Sequence, residues 1–230
     1  DPASGYFALQ TGQDMRTFYM RKWLGVDPAN GKPLWEQVTT DPATGKVTRT
    51  ATSNYNNATL QNVGSASPKF FGGIRNTFGY KNFQLSAFFT FVSGNKVYNS
   101  TRELMDNDGA YAQYNLMQLD KGWSRWEKPG DNATHPKYTL NGNNNSHKPS
   151  SRFLEDGSYL RLRNVNLSYS LPQDWLQRMK IGSARISIGG DNLWTLTRFS
   201  GIDPEVDDRG INYMKYPIAR KWFAGLEINF

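Results

Sequence analysis

The stretch from Arg220 to Phe230, R-K-W-F-A-G-L-E-I-N-F, restricts what this chain can fold into more than any other. One register of its alternation carries Trp222, Ala224, Leu226, Ile228 and Phe230, and the other carries Lys221, Phe223, Gly225, Glu227 and Asn229. Successive side chains of a strand point to opposite faces, so the segment presents one apolar face and one small or polar face, and it stops on an aromatic residue. A bilayer-spanning barrel strand needs about 9–11 residues of this alternation with aromatics near its ends. The last strand of a soluble sandwich has the same period, so the rest of the chain must separate the two.

The same pattern recurs upstream. Phe70, Gly72, Ile74, Asn76, Phe78 and Tyr80 share one face, and after a tight turn Phe83, Leu85, Ala87, Phe89 and Phe91 resume it, which predicts a long antiparallel hairpin. The second of these strands carries no charge from Phe83 to Gly94. In water such a strand invites aggregation unless its apolar face is covered, by lipid or by a second sheet. Val165, Leu167, Tyr169 and Leu171 alternate with Asn164, Asn166, Ser168 and Ser170, and Ile186 and Ile188 oppose Arg185, Ser187 and Gly189. Met15 to Gly25 is aromatic and weakly alternating. These segments predict about six strands, near residues 15–25, 69–80, 83–93, 158–171, 184–196 and 221–230.

Between them lie polar stretches. Asp27-Pro28-Ala29-Asn30-Gly31 and Asp41-Pro42-Ala43-Thr44-Gly45 are turn signals, the second joining Leu34–Thr39 to Lys46–Ala51 in a polar hairpin. Thr52 to Ser67 reads as solvated loop. Residues 94–149 lack strand periodicity, with a helical segment expected within Tyr98 to Gln118 and an Asn-rich loop from Thr139 to Ser151. Long irregular insertions of this kind are usually functional.

No apolar run approaches the roughly 18 residues of a membrane helix. Only 37% of the residues are hydrophobic, which a barrel tolerates because it shows lipid every second residue. Cysteine is absent, which excludes disulfides, a thiol nucleophile and thiolate metal sites. The net charge of +7 comes from scattered Lys and Arg without a run of five, a poor footprint for nucleic acid. The opening D-P-A-S-G-Y-F has no secretory leader, so an exported protein of this kind is expected to begin further upstream.

Catalysis is not expected. Glu155 and Asp156 are adjacent on a predicted strand and point apart, so they cannot flank one glycosidic bond, and no phosphate loop or nucleophile elbow is present. His135 and His147, twelve residues apart and without cysteine nearby, make a poor metal pair. Asp203, Glu205, Asp207 and Asp208 before Gly210 leave calcium open, although their spacing is not that of an EF-hand loop. Trp123, Trp126, Tyr111 and Tyr114, with Asn143, Asn144 and Asn145, offer stacking planes and amides for a glycan; the bland reading is packing against loops or a lipoprotein partner. Trp222, Leu226, Ile228 and Phe230 are expected to face lipid, with Tyr169, Phe83 and Phe91 in the aromatic girdles.

Seven stretches in order resemble the SusC/RagA family of TonB-dependent outer-membrane transporters. They are Lys22 to Pro28, Ser67 to Thr77, Gly94 to Asn99, Ser150 to Leu171, Gly190 to Trp194, Gly201 to Glu205 and Arg220 to Phe230, of which S-S-R-F-L-E-D-G-S-Y-L-R-L-R-N-V-N-L-S-Y-S-L at Ser150 is the strongest. The resemblance covers essentially residues 1–230 and implies an all-β chain, an antiparallel transmembrane β-barrel segment of about six C-terminal strands of a 22-stranded barrel with long extracellular loops. The plug and the N-terminal strands are then absent from this chain. It further implies an importer of oligosaccharide or peptide in the outer membrane of a Gram-negative bacterium. Its partners would be the rest of the same barrel, outer-membrane lipid, a SusD-like surface lipoprotein and the TonB-ExbB-ExbD complex, with no cofactor. Residues 26–67, 94–157 and 197–219 would be extracellular, 81–82 and 172–183 periplasmic, and Phe230 would match the terminal aromatic read during barrel assembly. The rival reading is a soluble β-sandwich that binds glycans.

Overall fold

The computed structural model describes residues 2–142, 144–178 and 180–230, with side chains from Gly5 onward. The chain is mostly β and divides into two compact units. The loop unit comprises Asp1–Ser67, Asn95–Asp156 and Glu205–Lys215; the sheet unit comprises Pro68–Gly94, Gly157–Pro204 and Tyr216–Phe230.

The sheet unit is a five-stranded antiparallel sheet. Its strands are β1 (Phe70–Tyr80), β2 (Phe83–Ser93), β3 (Tyr159–Ser170), β4 (Ser183–Thr197) and β5 (Lys221–Asn229), paired in the order β5-β4-β3-β2-β1. All neighbours in the sheet are therefore neighbours in sequence among these five, the order of a meander. The β1–β2 turn holds two residues, with Lys81 at φ 51° and Tyr80 directly opposite Phe83. Strands of nine to fifteen residues exceed the usual five or six. A short helix, α1 (Gln173–Arg178), joins β3 to β4 and buries Leu176.

One irregularity keeps the sheet in phase. Against β2, Leu162 pairs with Phe89 and Asn164 with Phe88, so Arg163 is an extra residue on β3. A one-residue bulge reverses the parity of everything beyond it. Leu160 and Leu162 before the bulge and Val165, Leu167 and Tyr169 after it consequently share one face, although their numbers differ in parity.

The loop unit has its own cores. Phe18, Met20, Ala66, Tyr98, Phe153 and Ile211 form one, and Trp35, Tyr55 and Ala58 form another, with Trp23 and Tyr55 packed edge-on against Trp35. The expected hairpin is present as Pro33–Thr40 paired with Val47–Thr52. Both Asp turns close alike: Gly31 N–H donates to Asp27 O and Gly45 N–H to Asp41 O, each at 2.8 Å. Each glycine sits at φ 70°, where a side chain would be strained.

Three expectations change here. Residues 15–25 are not the first of six sheet strands. They split into Thr17–Arg21 and Trp23–Val26, in two small sheets of the loop unit, with Phe18 and Met20 buried beneath protein. A strand half-buried on a protein core has the same period as one half-buried in lipid, so alternation could not tell them apart. Thr52 to Ser67 is ordered by the buried ring of Tyr55 and by a strand, Leu60–Ser65, paired with Thr17–Arg21. The helix within 98–118 is limited to Ser100–Met105, capped by the Asn99 side chain accepting from Arg102 N–H.

A buried ionic cluster ties the loop unit together across its longest insertion. Asp106 accepts from His135 Nε2 at 2.9 Å and Arg152 Nη2 at 3.1 Å, with Arg102 Nε at 3.4 Å. Asp108 accepts from Arg125 at 2.7 Å and Ser146 Oγ at 2.7 Å and is paired with Arg152. Burial alone would push the Asp106 carboxyl up; the hydrogen bond from His135 and the adjacent Arg152, His135 and Arg102 outweigh it and hold the group down at about 2. A carboxyl depressed by folding stabilises the folded state above its unfolded value and loses that contribution as the pH falls through the folded value. The contribution of Asp106, about 2 kcal/mol, is therefore complete near neutrality and is lost between roughly pH 4 and 2. Asp106→Asn leaves Arg152 buried with part of its counter-charge gone. Limited proteolysis of the intact protein should show cleavage within residues 100–150 at neutral pH in this variant, which the unsubstituted protein shows only in acid.

Candidate functional site

The sheet sorts its side chains onto two faces. Direct partners across the strands form rows, such as Tyr80, Phe83, Tyr169, Ile186 and Leu226, followed by Phe78, Leu85, Leu167, Ile188 and Ala224. Toward the opposite end the apolar face continues through Ile74 and Phe89 to Leu162 and Trp194, then Phe91, Leu160 and Leu196. This face is open: Ile188 is 56% exposed, Leu226 67% and Trp222 77%. Its aromatics gather toward the strand ends, with Tyr80, Phe83 and Tyr169 at one and Phe70, Phe91, Trp194 and Trp222 at the other. An exposed apolar patch spanning five strands far exceeds what a surface in water normally carries.

The other face is polar. It carries Thr77, Gln84, Ser86, Asn164, Asn166, Ser168, Arg185, Asp191, Lys221 and Glu227. Charges stand beside opposite charges: Arg185 is opposite Glu227 and Asp191 opposite Lys221, while Asn164 Nδ2 donates to Asp191 at 2.8 Å. The aromatics on this face fill space over glycine. The Phe223 ring lies over Gly189, where a Cβ would stand 2.6 Å from it, and Phe88 covers Gly73 while carrying the Arg75 guanidinium at 4.8 Å.

At one end of the polar face a cavity of about 580 Å³ is lined by Arg161, Asn192, Thr195, Thr197, Asp203 and Tyr216, among others. Arg161 is 3% exposed; its Nη2 donates to Asp203 Oδ1 at 2.6 Å and its Nε to Thr195 Oγ1 at 3.0 Å. Sequence reasoning missed this pair. The available signal was an arginine in the polar register of β3 and an acid in a matched stretch forty-two residues later.

The residues expected to meet a ligand lie in the loop unit, and their groups have partners within the chain. Trp123 packs against His135, ring centroids 5.0 Å apart and tilted, and carries the Arg102 guanidinium at 4.3 Å. Trp126 Nε1 donates to Pro28 O at 2.9 Å, and its ring covers Gly31. The Asn144 carboxamide donates to Lys137 O and accepts from Ser146 N–H and Oγ. Tyr111 packs against Tyr114 and His147. Asn143 lies outside the described residues. The acids of 203–208 do not converge: Asp203 pairs with Arg161, Asp207 with Arg209 and Lys215, and Asp208 with Arg16. No group of three or more potential metal ligands exists among the described residues. Trp222, Leu226 and Ile228 stand on the open apolar face, and Phe230, 95% exposed, follows β5.

No family model matches the chain. It is 26% identical over 252 residues to TonB-dependent receptor P3 of Formosa agariphila, covering 100% of this chain and 24% of that protein. It is 33% identical over 82 residues to TonB-dependent receptor SusC of Bacteroides thetaiotaomicron, covering 35% of this chain and 8% of that one. The structure of the RagAB peptide transporter superimposes with a TM-score of 0.72 at 28% identity, over 93% of this chain and 23% of the matched chain. The chain is similar to a segment of SusC/RagA-type TonB-dependent transporters. It spans about a quarter of the length of P3 and of the matched RagAB chain. These relatives are named as receptors and a transporter.

The two faces of this segment should respond oppositely to charge. Ile188→Arg places a cation in the middle of the apolar face and should destabilise the protein by about 2–4 kcal/mol, while Ser86→Lys on the polar face should change stability by less than about 0.5 kcal/mol. Denaturant titration of the detergent-folded protein measures both.

Proposed function

We propose that this chain is part of an outer-membrane importer of a Gram-negative bacterium, energised through TonB, ExbB and ExbD and acting with a SusD-like surface lipoprotein to take up oligosaccharide or peptide. The observation that carries the reading is the open apolar face running across all five strands, backed by a continuous polar face. Lipid outside and a water-filled lumen inside are the two solvents that such a sheet needs. A soluble glycan-binding sandwich would cover the apolar face with a second sheet, and no described residue does so.

Connectivity supports the same reading. In the antiparallel order the long connections 94–158 and 198–220 leave and re-enter the strands at one end, and the short turns 81–82 and 171–182 join them at the other. Outer-membrane barrels put long loops outside and short turns in the periplasm, which leaves β5 running toward the periplasm. Within the described residues β1 and β5 each pair on one side only. Unpaired backbone groups in hydrocarbon cost several kcal/mol each, so further strands of a larger barrel, of the 22-stranded kind, are required to close it.

The test is extraction of the native protein from membranes, followed by electrophoresis with and without heating. The importer reading expects a detergent-requiring band, much larger than this chain, that shifts on heating and contains these peptides. A detergent-free folded monomer of this length would overturn it.

A further inference from the structure

In the loop unit, the helix Ser100–Met105 and the residue that caps its C-terminus hold two carboxyl groups in opposite surroundings. Asp106 is ringed by Arg102, His135 and Arg152. Glu103 meets phenols instead: its Oε2 accepts from the Tyr98 hydroxyl at 2.8 Å and from the Tyr6 hydroxyl at 3.3 Å. Tyr55 and Tyr111 also face it, from the turn Tyr55–Asn57 and from beyond the helix, and Tyr213 stands against Tyr6. The cations of the surrounding elements are committed elsewhere. Arg102 turns to Asp106, Glu155 and the Trp123 ring, Arg152 to Asp106 and Asp108, and Arg21 lies over the Tyr55 ring at 4.1 Å. No cation among the described residues therefore favours the charged form of Glu103.

A half-buried carboxyl without a counter-ion is held most comfortably when neutral. Burial pushes the Glu103 carboxyl up, and the hydrogen bonds from Tyr98 and Tyr6 offset only part of that. Burial also pushes both hydroxyls well above the ordinary phenol value, so they remain donors throughout and the carboxyl is the group that titrates. The two donors are not equally fixed. Tyr98 is fully buried in the core with Phe18 and Phe153. Tyr6 is half-buried and stands at the start of the chain's first well-packed stretch, its ring 4.3 Å from that of Tyr98 and its carbonyl accepting from Tyr19 N–H at 2.8 Å. An ionised Glu103 regains hydration only by opening toward water, and the partner it leaves is the one on the longer bond, Tyr6.

We infer that Glu103 is the pin of a pH-sensitive clasp, which fastens Tyr6 and the strand Phe7–Ala8 to the helix Ser100–Met105 when protonated and releases them when ionised. A carboxyl raised by folding contributes fully below its unfolded value and loses that contribution as the pH rises through the folded value. The clasp therefore tightens toward acid and loosens above the ordinary carboxylate range, the opposite sense to Asp106. Hydrogen exchange of the intact protein in detergent tests it, read from peptides containing residues 6–8 and corrected for the intrinsic pH dependence of exchange. Protection of these residues should fall about threefold to tenfold from pH 5 to pH 8, while peptides covering Lys96–Asn99 keep theirs. Glu103→Gln retains an acceptor without the charge and should hold the pH 5 protection across the range. Tyr6→Phe retains the ring contact without the bond; it should lower protection at pH 5 and flatten the response. Protection that is constant in the unsubstituted protein, that rises with pH, or that falls equally in Glu103→Gln overturns the clasp. Where Glu103→Gln also loses protection over Lys96–Asn99, its fold is disturbed, and the unsubstituted protein and Tyr6→Phe decide: a fall with pH that Tyr6→Phe flattens upholds the clasp, and one that it leaves unchanged overturns it.

Discussion

A strand in hydrocarbon has no water to satisfy its backbone, so each N–H and C=O must find a partner on a neighbouring strand. The rest of the sheet unit follows from that constraint. Long strands are needed to cross, continuous pairing is needed across them, and one face of every strand must suit lipid. The register meets all three: eleven consecutive pairs join β1 to β2, running from Phe70 opposite Ser93 to Tyr80 opposite Phe83. Side chains then divide by parity between two solvents, and the Arg163 bulge corrects the parity where β3 would otherwise turn its lower half inside out.

The loop unit obeys the opposite rule. Its strands are short and its aromatics, Phe18, Trp35, Tyr98 and Phe153, are buried in protein. Its insertion is held by charges: Arg152 bridges Asp106 and Asp108, which are themselves held by His135, Arg102 and Arg125. Ionic clustering suits a segment that supplies few apolar residues, because buried charges persist when each has its partner. The net charge separates the units too. Acidic and basic residues balance in the loop unit, and the +7 falls in the sheet unit, part of it at strand ends such as Lys69, Lys81 and Arg220. Scattering in sequence thus hid a difference between the two parts of the chain.

Strand existence was legible wherever alternation was strong. The five long strands begin and end within one or two residues of the ranges that periodicity predicts, and the Asp turns lie where Pro, Asn and Gly place them. What alternation cannot supply is the identity of the medium. Met15 to Gly25 alternates like a membrane strand, yet Phe18 and Met20 pack on Tyr98 and Phe153. Trp123 and Trp126 looked available for stacking on a ligand, but Arg102, His135, Pro28 and Gly31 engage them. Partners so remote in sequence leave no local signal.

By itself the sequence determined a β chain, its long strands, its turns and the alternation of faces along each uninterrupted stretch of strand, because the period of a strand and the φ preferences of Pro and Gly are local properties. The tertiary structure alone decided which strands share a sheet, where the extra residue of β3 falls, and that Arg161 meets Asp203 and Arg152 meets two aspartates. These are pairings between distant segments, set by how the whole chain closes on itself rather than by any window of it.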